Sequence, residues 1–312
     1  MSGIATILTM AMTLQLPTVE PTAVERTAIR SRNAIKSGVI TLRCSHVGPL
    51  GKPVTTAYEF QFDGSNRFME IADEGRPELY PQTAAPRKTR YVRTPTQFMM
   101  HAQFINPAGV RFPAYVDDLQ LFKIQRNAMP DLAKQSLEAL EHATPFDARL
   151  IGFVPSSIGA WYRDQLDMFI GGPRIGEATT ESEALDGINT TKVTFRSEID
   201  CEITAWICEG RDSCPVRIDI KAPPDPDGTR LTDSMTAQLE QFDDASDEVD
   251  GKRWFPRKII QTRAILGGTQ RKVIETEEIT VLTASFNKPI DGSQFTLKAL
   301  NLPESTRIVY RP

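Results

Sequence analysis

The sequence has no excess of positive charge: 36 Lys and Arg stand against 40 Asp and Glu, for a net charge of −4. Its basic residues are scattered, as in Arg87, Lys88, Arg90 and Arg93 or Lys252, Arg253, Arg257 and Lys258. A phosphate backbone is bound through a concentrated basic patch, so no nucleic-acid partner is expected. Long apolar runs are missing too. The run at 4–16 (IATILTMAMTLQL) is too short for a bilayer, which takes about 20 residues. Its length suits a secretory signal, although Met1-Ser2-Gly3 brings no basic residue and no small-x-small cleavage site follows. Residues 1–21 are therefore expected to be an apolar leader on an exported, periplasmic chain. No cysteine follows the run closely, the first being Cys44, so no lipid anchor is expected.

Groups that carry chemistry are few. The three histidines (His46, His101, His142) are not clustered near the four cysteines (Cys44, Cys201, Cys208, Cys214), whose C-x6-C-x5-C spacing matches no common zinc pattern. There is no G-x-S-x-G, no H-E-x-x-H and no phosphate-cradling glycine loop. Gly159-Ala160-Trp161 does not follow a strand as a nucleophile elbow must. His101, beside Met99, Met100 and Phe104, reads as a satisfied structural histidine. Glu277 and Glu278 point to opposite faces of a strand and cannot share one bond. The acidic stretch 243–248 lacks the glycine of a calcium loop and reads as solvated surface. Asn189-Thr190-Thr191 is a glycosylation sequon by letter and is taken as chance. No enzyme, metal or cofactor is expected.

What is present is strand pattern and turn punctuation. A chain of 312 residues buries about 75% of its unfolded surface and needs no metal or disulfide to fold. Thr22-Ala23-Val24-Glu25 reads as a capping box opening a helix through Ile35, with Lys36 near its end and Gly38 as its stop. Period-two runs follow at 39–47, 53–63, 66–71, 88–93 and 97–104, with Asp63-Gly64 as a hairpin turn. Pro130, then Ala133, Leu137 and Leu140, begin a helical insertion over about 129–172. Its second helix carries Ile158, Trp161, Tyr162, Leu166 and Phe169 as a core-facing stripe. Strands resume at 191–198, 201–208, 216–221 and 235–242, and a closing stretch from Trp254 doubles back through Gly267-Gly268 and a turn at 287–292. The faces of 279–286 are apolar on both sides (Ile279, Val281; Leu282, Phe286), as in a sheet covered twice.

Cys208 and Cys214 bracket a hairpin loop. In an oxidising compartment they are candidates for a disulfide; in a reducing one they are two small core residues. Cys44 with Cys201 is a second candidate bridge. Several strand faces are aromatic or methionine-rich: Tyr58, Phe60 and Phe62; Phe98 and Met100; Met99 and His101. A sheet that curls without closing must have its hollow face filled by helices, side chains or a ligand. Tyr58, Phe60, Phe62, Phe98, Met100, Trp161 and Phe169 are the candidate lining of such an apolar cavity.

FDARLIGF (146–153), KRWFP (252–256), SFNKPID (285–291), FTL (295–297) and LPESTRIV (302–309) together resemble the LolA/LolB/LppX-like group of outer-membrane lipoprotein-sorting proteins. They are most similar to the large exported versions of planctomycete-type bacteria. Ala148 and Ser305 stand where the group has Pro and Gly, and no residue here matches the carriers' functional arginine. The resemblance covers 22–312 and implies one α+β domain: an antiparallel, unclosed β half-barrel whose helices cover the concave face. It also implies a non-catalytic periplasmic carrier with lipid acyl chains or a lipidated protein in the cavity. An envelope structural or protein-interaction module on the same scaffold, docking through the sheet edge or convex face, is the alternative. An exported hydrolase would need a Ser/His/Asp or paired-carboxylate cluster in three dimensions.

Overall fold

The computed structural model describes residues 20–48, 51, 53–73, 87–103, 113–119, 147–153, 170, 172, 174–198, 200–246, 250–268 and 270–311. Most of the leader and of the insertion expected over 129–172 lies outside the described residues. Of FDARLIGF, Asp147 onward is described, and Ala148–Leu150 makes a single 3-10 turn capped by the Asp147 side chain.

Thr22 caps α1 (Ala23–Asn33) with the reciprocal box expected. Its hydroxyl accepts from the Glu25 N–H at 3.4 Å, and the Glu25 carboxylate accepts from the Thr22 N–H at 2.8 Å. The helix ends two residues short of Ile35. Lys36 Nζ donates to the Asn33 carbonyl at 2.7 Å, satisfying a terminal acceptor. Gly38 is not the helix stop. It lies in β1 (Ser37–Val47), where an added Cβ would stand 2.7 Å from Phe62 Cζ and 3.1 Å from Phe286 Cδ1. A bare Cα is what lets those two rings close over the strand.

The remaining strands are β2 (Pro53–Asp63), β3 (Asn66–Asp73), β4 (Arg87–Arg93), β5 (Gln97–Gln103), β6 (Ala114–Asp118), β7 (Arg174–Leu185), β8 (Ile188–Ser197), β9 (Glu202–Cys208), β10 (Cys214–Lys221), β11 (Thr229–Asp244), β12 (Lys252–Gly267), β13 (Gln270–Phe286) and β14 (Ile308–Arg311). Among the described residues they form one 14-stranded sheet in the order β14-β6-β5-β4-β3-β2-β1-β13-β12-β11-β10-β9-β8-β7. Two antiparallel meanders, β1–β6 and β7–β13, are joined by the pairing of β1 with β13. Among the described residues, only β6–β14 and a two-residue contact of β11 with β13 are parallel. The sheet is unclosed, with β7 and β14 at its edges, and α1 is the α-helix among the described residues.

One face carries α1 and the segment 147–153. Ile35, Ile40, Leu42, Phe60, Ile151, Phe255, Ile259, Ile279, Val281 and Phe286 are buried there with Ala28 of the helix. The other face is covered over β3–β6 by the C-terminal segment, whose 3-10 turns Gly292–Phe295 and Leu297–Leu300 bring Phe295 and Leu300 onto Phe68, Val92, Met99 and Val116. A smaller part of that second face is buried around Trp206, Cys208 and Val216, and other parts meet solvent, as where Lys258 pairs with Glu278 at 3.0 Å.

The double covering expected for β13 is not found. Its register with β1 slips between Thr41 and Leu42, whose partners are Thr283 and Val281, so Leu282 is an extra residue. Such a bulge reverses which side chains point inward. Ile279 and Val281 before it, and Ala284 and Phe286 after it, therefore share the α1 face. Leu282 itself is 43% exposed.

Candidate functional site

Directly paired residues on neighbouring strands share a face. Ile40 of β1 stands opposite Phe60, Phe60 opposite Met69, Met69 opposite Tyr91, and Tyr91 opposite Met100. A second row runs from Leu42 through Tyr58 to Ile71. Five of the residues singled out in the sequence, Tyr58, Phe60, Phe62, Phe98 and Met100, thus fall on the α1 face. Trp161 and Phe169 lie outside the described residues.

The face is not uniform. Phe60, Phe62 and Phe98 are buried, whereas Tyr58, Ile71, Tyr91 and Met100 are only half-buried. Tyr58 and Phe60, two apart on β2, stack with centroids 5.8 Å apart, and Tyr91 meets Phe98 at 6.2 Å. The dry side is filled by α1 and by Leu150, Ile151 and Phe153. The half-buried side is an aromatic and aliphatic tract across β2–β5.

Ion pairs hold the covering elements down. Glu25 of α1 meets Arg174 at the start of β7 at 2.8 Å, both nearly devoid of exposure, and the guanidinium lies 4.2 Å from the Phe195 ring centre. Burial alone would raise the Glu25 carboxyl, but Arg174 and the Thr22 hydrogen bonds hold it below its ordinary value. Asp147 is buried between Arg67 and Arg149 and is likewise held low against the pull of burial. Arg253 pairs with Asp244 and donates to the Ser31 carbonyl at 3.0 Å, tying β12 to the helix.

Arg32 is the residue that sequence reasoning missed. Its guanidinium, 2% exposed, is sandwiched between Phe255 at 4.3 Å and Phe153 at 4.8 Å. Its Nη2 donates to Cys214 Sγ at 3.7 Å, while among the described residues Nε and Nη1 have no hydrogen-bond partner. Burial depresses its pKa. The buried stripe of α1 is Val24, Glu25, Ala28 and Arg32, so two of its four members are charged and an apolar-only count overlooks them.

Among the described residues, the groups considered for catalysis do not converge. His46 Nδ1 lies 3.3 Å from Glu275 at the far end of β1. His101 is buried on the face opposite the tract, as a structural histidine is, and among the described residues its Nδ1 has no hydrogen-bond partner. Burial, and then the Arg90 charge, lower its pKa and keep it neutral. His142 lies outside the described residues. Glu277 is buried while Glu278 meets Lys258 on the other face, as the alternation required. Among the described residues no group of three His, Cys, Asp or Glu could hold a metal ion.

The cysteines are free thiols. Cys44 donates to Glu277 Oε1 at 2.8 Å; burial, reinforced by that carboxylate, pushes its pKa far upward, so it is no nucleophile. It cannot bridge to Cys201. Four strands separate β1 from β9, about 24 Å along the sheet at about 4.8 Å per step. Cys208 and Cys214 are direct partners across β9 and β10. Cys208 also borders a cleft of about 730 Å³, lined by Glu183, Asn189, Thr190, Glu209 and Arg211 among others.

No family model matches the sequence, and no curated protein matches it. Solved structures do. A DUF1329 family protein from Desulfovibrio piger aligns over 90% of this chain and 100% of its own at 10% identity, with a TM-score of 0.46. A putative outer membrane lipoprotein-sorting protein domain from Vibrio parahaemolyticus aligns over 89% and 98% at 8% identity, also at 0.46. A LolA superfamily protein from Nitrosomonas europaea aligns over 90% and 99% at 12% identity and 0.42. The likeness is one of general sheet layout, and no residue role or ligand comes across with it.

Proposed function

We propose that this chain is a non-catalytic binding protein of the bacterial cell envelope that holds acyl chains of a lipid or lipidated protein against the α1 face of its sheet. In this reading the sheet is a half-barrel, and the tract Tyr58, Ile71, Tyr91 and Met100 is the floor on which the chains lie. One observation carries the proposal: this apolar tract is continuous in register with the dry core, yet its side chains are only half-buried. A soluble protein gains about 0.8 kcal/mol for each methylene it removes from water there, so a chain of ordinary length is held with no charged contact.

The test is equilibrium binding of a fluorescent C16 acyl probe to purified, delipidated protein. Met100→Glu and Tyr58→Glu place a charge on the floor and are expected to weaken binding at least tenfold, with the far-ultraviolet circular dichroism unchanged. A protein that binds no acyl probe, or whose variants bind it as well as the parent, overturns the reading.

A further inference from the structure

The β9–β10 hairpin carries a second feature, independent of the acyl-binding reading. Cys208 and Cys214 are paired directly across the two strands. Opposed residues of an antiparallel pair have Cα atoms about 4.5–5.5 Å apart, inside the range of about 4.4–6.8 Å that a disulfide spans. The loop between them is locked. Asp212 and Ser213 both have positive φ, at 53° and 51°, and Asp212 accepts from the Trp254 N–H at 2.6 Å. Arg211 lies 4.8 Å from the Trp254 ring centre. A loop held this way keeps the two cysteines in register.

The surroundings of the two sulfurs differ. Cys208, itself buried, borders the cleft; burial raises its thiol, and the Arg211 cation with the Gly210 and Arg211 N–H groups offsets that rise only in part. Cys214 is sealed in the interior, where burial pushes its thiol up to about 11 against the opposing pull of Arg32. Its Sγ donates to the Trp254 carbonyl at 3.3 Å and accepts from Arg32.

We propose that Cys208 and Cys214 are a dithiol that closes to a disulfide across this hairpin, with Cys208 as the thiol that meets the oxidant. The co-reactant is a small or protein disulfide. Cys208 attacks it as the thiolate, forming a mixed disulfide and releasing one thiol. Cys214 then turns from Trp254 and Arg32 to attack the Cys208 sulfur, breaking the mixed bond and releasing the second thiol. Two electrons pass from the cysteine pair to the oxidant, and the two protons leave with the released thiols.

The test incubates the full chain with glutathione disulfide and glutathione at graded ratios, quenches with acid, unfolds it and alkylates it with N-ethylmaleimide for mass spectrometry. Alkylatable thiols are expected to fall from the four in the sequence to two, with a linked peptide joining Cys208 and Cys214. Cys208→Ser should abolish the loss, whereas Cys214→Ser should stop at the mixed disulfide, losing one thiol to a glutathione adduct on Cys208. The double variant Cys44→Ala/Cys201→Ala, which keeps the pair, should lose both remaining thiols on oxidation. Four alkylatable thiols persisting in the folded oxidised parent, or a linkage through Cys44 or Cys201, overturns the proposal.

Discussion

Arg32 and Glu25 occupy the same buried stripe of α1, yet the physics at each is opposite. Glu25 is fully paired: Arg174 supplies the opposite charge and Thr22 two hydrogen bonds. Glu25→Gln leaves the Arg174 charge buried without its carboxylate, and removing one partner of a buried pair costs about 3–5 kcal/mol. Among the described residues, Arg32 has aromatic faces and a thiol against it but no carboxylate within ion-pair distance. Arg32→Met keeps the packing and removes an uncompensated charge, so it is expected to leave stability unchanged or raise it by about 1 kcal/mol. Urea denaturation of both variants checks the contrast. A loss of more than about 2 kcal/mol for Arg32→Met would mean that the guanidinium is anchored by something beyond the two rings and Cys214.

His101 gives a pH dependence with a definite sign. Its pKa is lowered in the folded chain, by burial first and by Arg90 second. The unfolded chain therefore takes up the proton first, near pH 6.5, while the folded chain does not. Stability is present above that pH and is lost as the pH falls through the lower, folded value. His101→Phe should flatten the slope of stability between about pH 7 and 5; an unchanged slope would place the titrating group elsewhere. Glu25 and Asp147, also held low, add their loss in more acid solution, below about pH 4.

At the scale of elements, the local signals in the sequence were accurate where a residue acts on its immediate neighbours. The Thr22–Glu25 box opens α1, Lys36 closes it, and β2 begins and ends at the residues its alternation marked. The edge strands were not legible. β7 is mostly exposed along its length, so it has no buried face to write an alternation into the sequence, and β14 is four residues long. The bulge at Leu282 was illegible for a different reason. Apolar residues at both parities look like a sheet covered twice, and only the slip against β1 shows that they share one face. Gly38 was legible as a glycine but not for its task. Gly38→Ala must displace the Phe62 or Phe286 ring and is expected to cost about 1–3 kcal/mol. A thermal melt matching the parent would show that the rings shift freely.

At the scale of the whole molecule, the fold is closed by contacts distant in sequence. β1 pairs with β13, and β14 returns to pair with β6 while the segment before it covers β3–β6. The candidate floor lies inside this frame, with five of the seven residues named from the sequence brought to one face by register alone. Period-two alternation was enough to find them, because a strand with one buried face writes that face into every second residue. It could not say which were sealed and which half-open, since that depends on where α1 and residues 147–153 come to rest.

The half-open tract makes the central claim testable without a guess at the ligand. The full chain is to be purified from membrane-bearing bacterial cells without detergent, measured by native mass spectrometry, then extracted with organic solvent for lipid analysis. Acyl-chain lipid or a lipidated protein released in about stoichiometric amount, and lost from the Met100→Glu variant, is the result predicted. A protein that leaves such cells carrying no acyl chain, and takes none up from added lipid, would contradict it.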